Sequence, residues 1–455
     1  MLIRVHRWLK KAYPLTDSRR LKILAFLTFV FLFRFIFGLY CPPVTAGEDY
    51  LQTYVIGLKS YTTHTWPYFG PDVQGPETSF KTQIPGALEG LLIALPLQLW
   101  PAPGSPYLFL NLLSFLALSF FGWYCCKRLP GFSPWFIFTW IYIAPWNTHY
   151  STQVINPSYA FFGSVIFFVG FLETVPALTL NVIPARWANT MMGFGLFWVM
   201  QLHMSWVAFV PFLFFSLYSQ GKIGEMRNSF IFLFLGSVPL LALLIPTYLT
   251  YGFSNGKDVH GFVSAMNWNN AKDILGTLAR YLSVASFEMP RFVAEHTRQR
   301  IDYFVQSPWL LLPGAFLWLA GYFQPGAMIV LWFFKDHPRR DWNEIKWLMA
   351  GTFFLIYACF LFTPDMAASF RVILLFPIVM IYSFYCWDYL AKRNNFWRIL
   401  GMVFILAGVY FQVGYTLKNI QARNSLYAQN QELMVKAIEA KDYRLLAERR
   451  PGSLY

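Results

Sequence analysis

LKILAFLTFVFLFRFIFGLY, residues 21–40, is an apolar run whose charged members are Lys22 and Arg34. A helix of about 20 apolar residues is long enough to cross a bilayer core of roughly 30 Å. The run therefore predicts a membrane-spanning helix. Further apolar runs predict ten more spans, at 106–126, 134–151, 157–175, 188–202, 203–219, 230–251, 309–334, 345–363, 370–388 and 397–416.

The composition agrees with an integral membrane protein. Of the 455 residues, 56% are hydrophobic and 13% are charged, whereas soluble domains carry about 25% charged residues. The net charge is +14, and an excess of Lys and Arg in membrane proteins marks cytoplasmic loops. The basic residues form no stripe interleaved with aromatic side chains, so we do not expect nucleic-acid binding. The sequence therefore predicts an all-α polytopic membrane protein.

The distribution of Lys and Arg predicts which segments lie outside. With residues 1–22 in the cytoplasm, the inner connections carry about three times the density of Lys and Arg found in the outer ones. The stretch 86–100 is shorter than a span and contains Pro96, and the charge balance holds only if it lies along the interface or re-enters. The predicted organisation is a cytoplasmic basic N-terminus at 1–22, a transmembrane domain at 23–416 with large outer loops at 41–105 and 252–308, and an outer C-terminal tail at 417–455. We expect this tail to be a small surface element, helical from Gln431 to Glu448.

Two adjacent acids stand in the first outer loop, in the sequence Gly47-Glu48-Asp49-Tyr50. Carboxylates in this position are solvated enough to stay ionised, and they lie close to the phosphate end of membrane lipids. This pair predicts chemistry at the membrane surface. Arg34 lies inside the first apolar run, where a charge costs roughly 2.5–3.5 kcal/mol on insertion scales, so we expect a structural ion pair to hold it.

Several motifs, taken in order, resemble one group of membrane enzymes. They are the acidic pair Glu48-Asp49 after the first helix, the Gly/Pro-rich stretches 66–71 and 81–86 before an amphipathic helix, Asn156-Pro157 at the start of the fourth span, Gln201-Leu202-His203 at the outer end of a short helix, and the segment from Arg371 to Pro377 that opens a late span. Over residues 21 to 390 the chain resembles the polyprenyl-phosphate-dependent glycosyltransferases of the GT-C fold. The branch it resembles includes protein O-mannosyltransferases, the lipid A aminoarabinose transferase and the rhizobial galacturonosyltransferases.

This resemblance implies a GT-C-like bundle of about 11 transmembrane helices with a large first outer loop that carries interfacial helices. It implies a polyprenyl-phosphate sugar donor and an envelope acceptor, which is lipid A, a polysaccharide, a lipid or a protein. The expected location is the inner (plasma) membrane, with the active site on the periplasmic or extracellular side. Relatives often show Asp before Glu in the first loop, whereas here Glu48 precedes Asp49, so either carboxylate remains a candidate for the base.

Sugar transfer from a lipid phosphate needs a base and a positive charge. A positioned carboxylate that accepts the proton contributes typically about 10²–10⁴-fold, so Glu48 and Asp49 are the predicted catalytic residues. The alternative is that both are acids favoured by the dipole at the start of a helix over 50–61. Arg371 suits the lipid phosphate because its planar fork binds phosphate oxygens in pairs, or else it is a snorkelling interfacial anchor. Lys81 resembles the lysine before the proline in relatives and is predicted to bind substrate.

Polar residues at the outer ends of the spans complete the predicted substrate site. Gln201 and His203 are polar within an apolar stretch, and His149 and Gln153 occupy a tight outer loop. Asn156 follows that loop, and its alternative role is a helix N-cap before a proline. The adjacent acids offer too few oxygen ligands for a dedicated divalent-cation cage. We therefore expect no required metal and no other cofactor.

Two other functions remain compatible with a polytopic chain. A transporter or flippase of lipid-linked saccharides usually shows internal repeats and broken helices that meet at the midplane. This sequence shows no repeat between its halves, and its polar residues cluster at the outer edge, which favours the enzyme. A non-catalytic subunit of an envelope assembly would use the large outer loops as docking surfaces and would tolerate loss of both acids.

Overall fold

The computed structural model describes residues 17–42, 47–72, 83–252, 268–283, 289–294, 296–334, 339–361, 372–423 and 425–447. Most of these residues are helical, which confirms the all-α class. Within the described residues, two short paired strands in the first outer loop are the exception to the all-α class. Lys81, Arg371 and the side chains of Glu48 and Asp49 lie outside the described part of the chain.

The first half of the chain holds ten of the described α-helices. They are α1 (Asp17–Tyr40), α2 (Gly47–Thr63), α3 (Leu88–Leu99), α4 (Ser105–Arg128), α5 (Pro134–Ile143), α6 (Pro145–Tyr150), α7 (Asn156–Thr174), α8 (Ala185–Met200), α9 (Val210–Gly221) and α10 (Met226–Tyr251). Strands β1 (Phe69–Asp72) and β2 (Gln83–Pro85) pair antiparallel between α2 and α3. A 3-10 helix at Met204–Phe209 leads from α8 into α9.

The second half contains the remaining helices. They are α11 (Trp268–Ala271), α12 (Ile274–Leu282), α13 (Met289–Val293), α14 (Thr297–Gln306), α15 (Leu311–Trp332), α16 (Trp342–Leu361), α17 (Phe376–Arg393), α18 (Asn395–Ala422), α19 (Leu426–Glu439) and α20 (Arg444–Ala447). Short 3-10 turns at Pro308–Leu310 and Ile373–Leu375 precede α15 and α17.

Seven of the described helices are long and apolar enough to cross a membrane, namely α1, α4, α7, α10, α15, α16 and α18. The other four predicted spans are also helical, but they are shorter, interrupted or more charged. The run 134–151 breaks at Ala144, whose backbone is not helical (φ −48°, ψ 123°). Pro145 follows it, and a proline disfavours helical geometry in the residue before it. The total of eleven spans stays a prediction.

The core of the bundle lies around α7. In this helix 89% of the spanning window is buried, against 28% in α10. Glycines bring α8 very close to its two neighbours, because a Cβ on Gly195 would lie 2.5 Å from the Gly163 carbonyl oxygen of α7. On the other face of α8, a Cβ on Gly193 would collide with the Leu233 carbonyl of α10. Small residues of this kind let membrane helices approach at backbone distance.

Helix α3 is too short to cross the membrane. Its 12 residues span about 18 Å at 1.5 Å per residue, against a bilayer core of roughly 30 Å. This length agrees with the prediction of an interfacial or re-entrant segment. The helix packs on α2 where Ile93 meets Gly57, and on the start of the first loop where Gly90 meets Pro67. Helix α3 therefore packs against the rest of the first outer loop.

Segments that were predicted to share a side of the membrane lie together. At one end, called the outer end here, Tyr40 packs on Tyr427 and Tyr68 packs on Tyr251. At the other end, called the inner end, Arg128 reaches Asp341 from another predicted inner segment. The alternation of helices along the chain is therefore consistent with the predicted order. Which end faces the cytoplasm stays a prediction.

A buried charge network closes the inner end. The guanidinium of Arg128 donates to Asp341 Oδ2 at 2.8 Å and to Tyr124 Oη at 2.6 Å. Tyr124 donates in turn to Glu173 Oε1 at 2.6 Å, and Tyr385 donates to Asp341 at 2.6 Å. The network therefore ties α4, α7 and α17 to the segment just before α16.

Within the described part of the chain Arg34 forms no ion pair, in contrast to the structural ion pair that the sequence predicted. Its guanidinium donates to neutral oxygens, at 3.1 Å to the Tyr142 carbonyl, 2.6 Å to Ser151 Oγ and 3.3 Å to Ser114 Oγ. Among the described residues no carboxylate lies within ion-pair distance of it. Arg34 is fully buried, so these hydrogen bonds replace its hydration.

The tail is more than a small surface element. It forms two helices, α19 and α20, rather than one from Gln431 to Glu448. Both pack against α2, and Met434 and Ala437 are fully buried. Ser425 caps α19 by accepting from the Ala428 N–H at 3.0 Å, and its hydroxyl donates to the Leu39 carbonyl at 2.7 Å. The tail therefore belongs to the packed outer end of the bundle.

Candidate active site

The acidic pair stands in the first turn of a helix. Helix α2 begins at Gly47, three residues before the predicted start at residue 50, so Glu48 and Asp49 are part of it. Tyr50, the next residue, is buried, and its hydroxyl accepts a hydrogen bond from Tyr107 of α4. Burial raises the pKa of Tyr50 well above its usual value. The first turn of α2 is therefore fixed against the start of α4.

A short antiparallel β-ladder next to α3 joins two stretches of the first outer loop. The N–H of Gly86 donates to the Tyr68 carbonyl at 3.0 Å, and Phe69 pairs with Pro85. Thr247 of α10 donates to the same Tyr68 carbonyl at 2.8 Å. This arrangement joins the loop to the outer end of α10.

Gln201 lies directly beneath this loop. Its amide nitrogen donates to the Leu240 carbonyl at 2.8 Å, and its side chain contacts Gly86, where a Cβ would stand 2.5 Å from Gln201 Oε1. Within the described part of the chain, that buried oxygen has no hydrogen-bond partner. The structure therefore brings the predicted Gln201 to the first outer loop and leaves it an unused acceptor.

Gly86 is required by its backbone as well as by its neighbours. Its φ is +130°, a region that residues with a Cβ rarely enter. Gly70, on β1, also faces polar atoms, because a Cβ there would lie 3.0 Å from Glu89 Oε2. The two glycines let the loop backbone approach Gln201 and Glu89.

Glu89 is a candidate that the sequence analysis did not select. It stands in the first turn of α3 and is fully buried, although this helix is otherwise mostly apolar. Its carboxylate lies within electrostatic range of the Tyr159 hydroxyl of α7. The signal in the sequence was an acid between apolar residues and followed by a glycine, Leu88-Glu89-Gly90. The burial of this acid depends on the loop above it and could not be read from the pattern.

His203 and Asn156 have structural contacts. His203 Nδ1 accepts from the Ser205 N–H at 3.1 Å and so caps the 3-10 helix before α9. Asn156 donates from Nδ2 to the Leu202 carbonyl at 3.2 Å. The N-cap of α7 is Ile155, and Asn156 is the first helical residue, so the alternative reading of Asn156 as an N-cap was wrong. Its contact ties the start of α7 to the turn that carries Gln201.

His149 and Gln153 lie in a neighbouring interface between α1, α6 and α18. The His149 ring meets Phe37 edge-on with centroids 4.7 Å apart and lies 5.9 Å from Tyr415. The side chain of His149 is buried between these helices. Gln153 donates to the Cys41 carbonyl at 3.3 Å, close to the segment that leads into α2. Binding of substrate by these two residues stays a prediction.

The segment that follows Arg371 packs beside α7. Ser164 of α7 donates to the Leu374 carbonyl, and the turn Ile373–Leu375 packs on both α6 and α7. Arg371 and Lys81 themselves lie outside the described residues, so their roles stay predictions. In the described part of the chain, α2, α3, the first outer loop and the ends of α7 and α8 nevertheless lie next to one another.

Comparison with known proteins gives a structural match. No protein-family model and no curated protein matches the sequence. ArnT from Cupriavidus metallidurans bound to undecaprenyl phosphate aligns with a TM-score of 0.54 and 13% identity, over 93% of this chain and 75% of that chain. The apo state of the same protein aligns with a TM-score of 0.52 and 12% identity, over 95% and 78% of the two chains. The chain therefore has the GT-C-like fold that ArnT shows, as its motifs predicted.

Proposed function

We propose that this protein is a membrane glycosyltransferase that moves a sugar from a polyprenyl-phosphate donor to an envelope acceptor. The observation that most supports this function is the ArnT-like fold over 93% of the chain. The ArnT structure holds undecaprenyl phosphate, which makes a polyprenyl phosphate the natural donor class. The acceptor is a hydroxyl group of lipid A, a polysaccharide, another lipid or a protein.

The proposed reaction joins an acceptor oxygen to the anomeric carbon of the donor sugar. The bond from that carbon to the lipid phosphate oxygen breaks, and the electron pair leaves with the phosphate. Glu48 or Asp49 takes the proton of the attacking hydroxyl. Arg371 and Lys81 stabilise the charge on the departing lipid phosphate, since a guanidinium binds phosphate oxygens in pairs. Gln201, with its unused buried acceptor, binds a hydroxyl of the substrate.

The same proposal places the active site on the outer face of the inner membrane. Its support is the density of Lys and Arg, which is about threefold higher in the predicted inner segments than in the predicted outer ones. The acidic turn of α2 and the first outer loop lie at the opposite end of the bundle. A lipid phosphate at the outer membrane surface would reach that end without entering the apolar core.

The transfer is proposed to need no metal ion. Two adjacent carboxylates supply fewer oxygen ligands than a dedicated divalent-cation cage uses. Treatment of the purified protein with a strong chelator is therefore expected to leave the rate of sugar transfer unchanged. A rate that falls with the chelator and returns with Mg²⁺ or Mn²⁺ would contradict this part of the proposal.

The decisive experiment is a transfer assay with the full chain in liposomes. Synthetic polyprenyl phosphates that carry one labelled hexose, pentose, amino sugar or uronic acid are the donors. The acceptor is an envelope fraction from cells that lack the gene. We expect one donor to pass its label to the acceptor and to release free polyprenyl phosphate. A flippase would move the lipid between leaflets without cleaving it, so release of polyprenyl phosphate separates the two functions.

The acidic pair provides the mechanistic test. Glu48→Gln with Asp49→Asn should lower the transfer rate by about 10²–10⁴-fold while the protein still binds undecaprenyl phosphate. Glu432→Gln on the exposed surface of α19 is the matched control and should keep full activity. Full transfer by the doubly substituted protein would show that neither acid is the base.

A further inference from the structure

Three tyrosines connect the tail to the first turn of α2. Tyr50 of α2, Tyr107 of α4 and Tyr427 of α19 are exposed to only 1%, 2% and 7%. Tyr107 donates its hydroxyl hydrogen to Tyr50, and the two ring centroids are 6.0 Å apart. The Tyr427 ring meets Tyr107 edge-on, with centroids 5.2 Å apart and planes at 74°. We refer to these three residues as the tyrosine bridge.

The tail also contacts the far end of α2. Lys59 lies over the ring of Tyr443 at 5.8 Å, in the segment between α19 and α20. Leu446 of α20 is fully buried, and α20 packs on α2. The tail is therefore held along the length of α2, and the tyrosine bridge is its contact with the acidic turn.

One face of α2 is completely buried. Tyr50, Tyr54 and Leu58 follow one another at four-residue spacing and are exposed to 1% or less, so they share one side of the helix. Tyr54 donates to the Pro103 carbonyl at 3.2 Å. This face determines the rotation of α2 about its axis. It therefore also determines the rotation of the turn that carries Glu48 and Asp49.

We propose that the tyrosine bridge is a positioning device for the catalytic acids, an inference that rests on the proposed function. Tyr107 and Tyr427 act through Tyr50 and do not touch the substrate. Together they hold the acidic turn at the distance and angle from the donor sugar that proton transfer needs. Reactions of this kind are sensitive to geometry, because a displacement of about 1 Å costs on the order of 10²-fold in rate. The tail is by this argument a working part of the active site.

The test uses the full chain in liposomes with the donor identified by the transfer assay. Tyr107→Phe removes one hydrogen bond without changing the ring and should lower kcat by about tenfold. Tyr427→Ala removes the supporting ring and should lower kcat on the order of 10²-fold. In both variants the KM for the donor should stay unchanged, because donor binding is not affected. The conservative variant Tyr427→Phe keeps the ring and should restore kcat.

A second set of variants shows whether the effect passes through the acids. In protein that already carries Glu48→Gln and Asp49→Asn, Tyr427→Ala should cause no further fall in kcat, since residues that act as a unit are not additive. A full additional fall there, or an unchanged kcat per folded molecule in both tyrosine variants, would overturn the inference and leave the proposed function intact. Wild-type protein that transfers no sugar from any donor would overturn the proposed function and the inference with it.

Discussion

Gly86 offers a sharp test of how the first outer loop meets the bundle. The replacement Gly86→Ala places a methyl group at φ +130° and 2.5 Å from Gln201 Oε1. Backbone strain of this kind costs about 1–3 kcal/mol. The displaced Gln201 amide also loses its bond to the Leu240 carbonyl, which contributes about 0.5–1.5 kcal/mol. The expected destabilisation is therefore about 2–4 kcal/mol, together with a transfer rate at least about tenfold lower because the loop shifts.

Gly131→Ala is the matched control. Gly131 also has a positive φ, +95°, but nothing lies within 4 Å of the new Cβ, and it sits in the turn between α4 and α5 at the inner end. It should lose about 1–3 kcal/mol from strain alone and keep its transfer rate. Thermal unfolding in detergent and the liposome transfer assay measure the two effects. Normal transfer by folded Gly86→Ala protein would refute the claim that this loop and Gln201 form the site.

A further prediction concerns buried charge. Arg128→Met should destabilise the protein by about 3–5 kcal/mol, because it leaves buried acids without their cation. As a control, Lys127→Met on the exposed side of α4 should change stability by less than about 0.5 kcal/mol. Equal unfolding temperatures for the two variants would contradict this prediction.

The apolar pattern was sufficient for the class of fold and for the long helices. Runs such as 21–40 and 230–251 are helical over their whole length, because an apolar run of that size satisfies its backbone only as a helix in the membrane. The pattern was insufficient where a local signal competed with it. The run 134–151 is interrupted at Ala144 because Pro145 follows, and the pairing of β1 with β2 depends on residues more than ten positions apart.

The positions of the candidate residues were predicted in part. Polarity within an apolar stretch selected Gln201, and the structure places Gln201 against the first outer loop. The roles of Gln201 and of the acids in the first turn of α2 stay predictions. Glu89 was missed because no local pattern encodes its burial or its proximity to Gly70 in the first outer loop. His203 was selected for the same reason as Gln201, yet it caps a 3-10 helix. A single polar residue among apolar ones therefore identifies a place where hydrogen bonds are needed, and tertiary contacts decide whether the protein or a ligand supplies them.

The hydrogen bonds of Arg34 have a consequence for biogenesis. All three acceptors, on Ser114, Tyr142 and Ser151, belong to segments that the ribosome makes after α1. A newly inserted α1 therefore carries an unsatisfied guanidinium, at a cost of roughly 2.5–3.5 kcal/mol. It can settle at its final depth only when the chain has been synthesised beyond residue 151. Until then the apolar residues of α1 must offset this cost, so α1 fused alone to another protein should insert less readily than the same helix with Arg34→Leu.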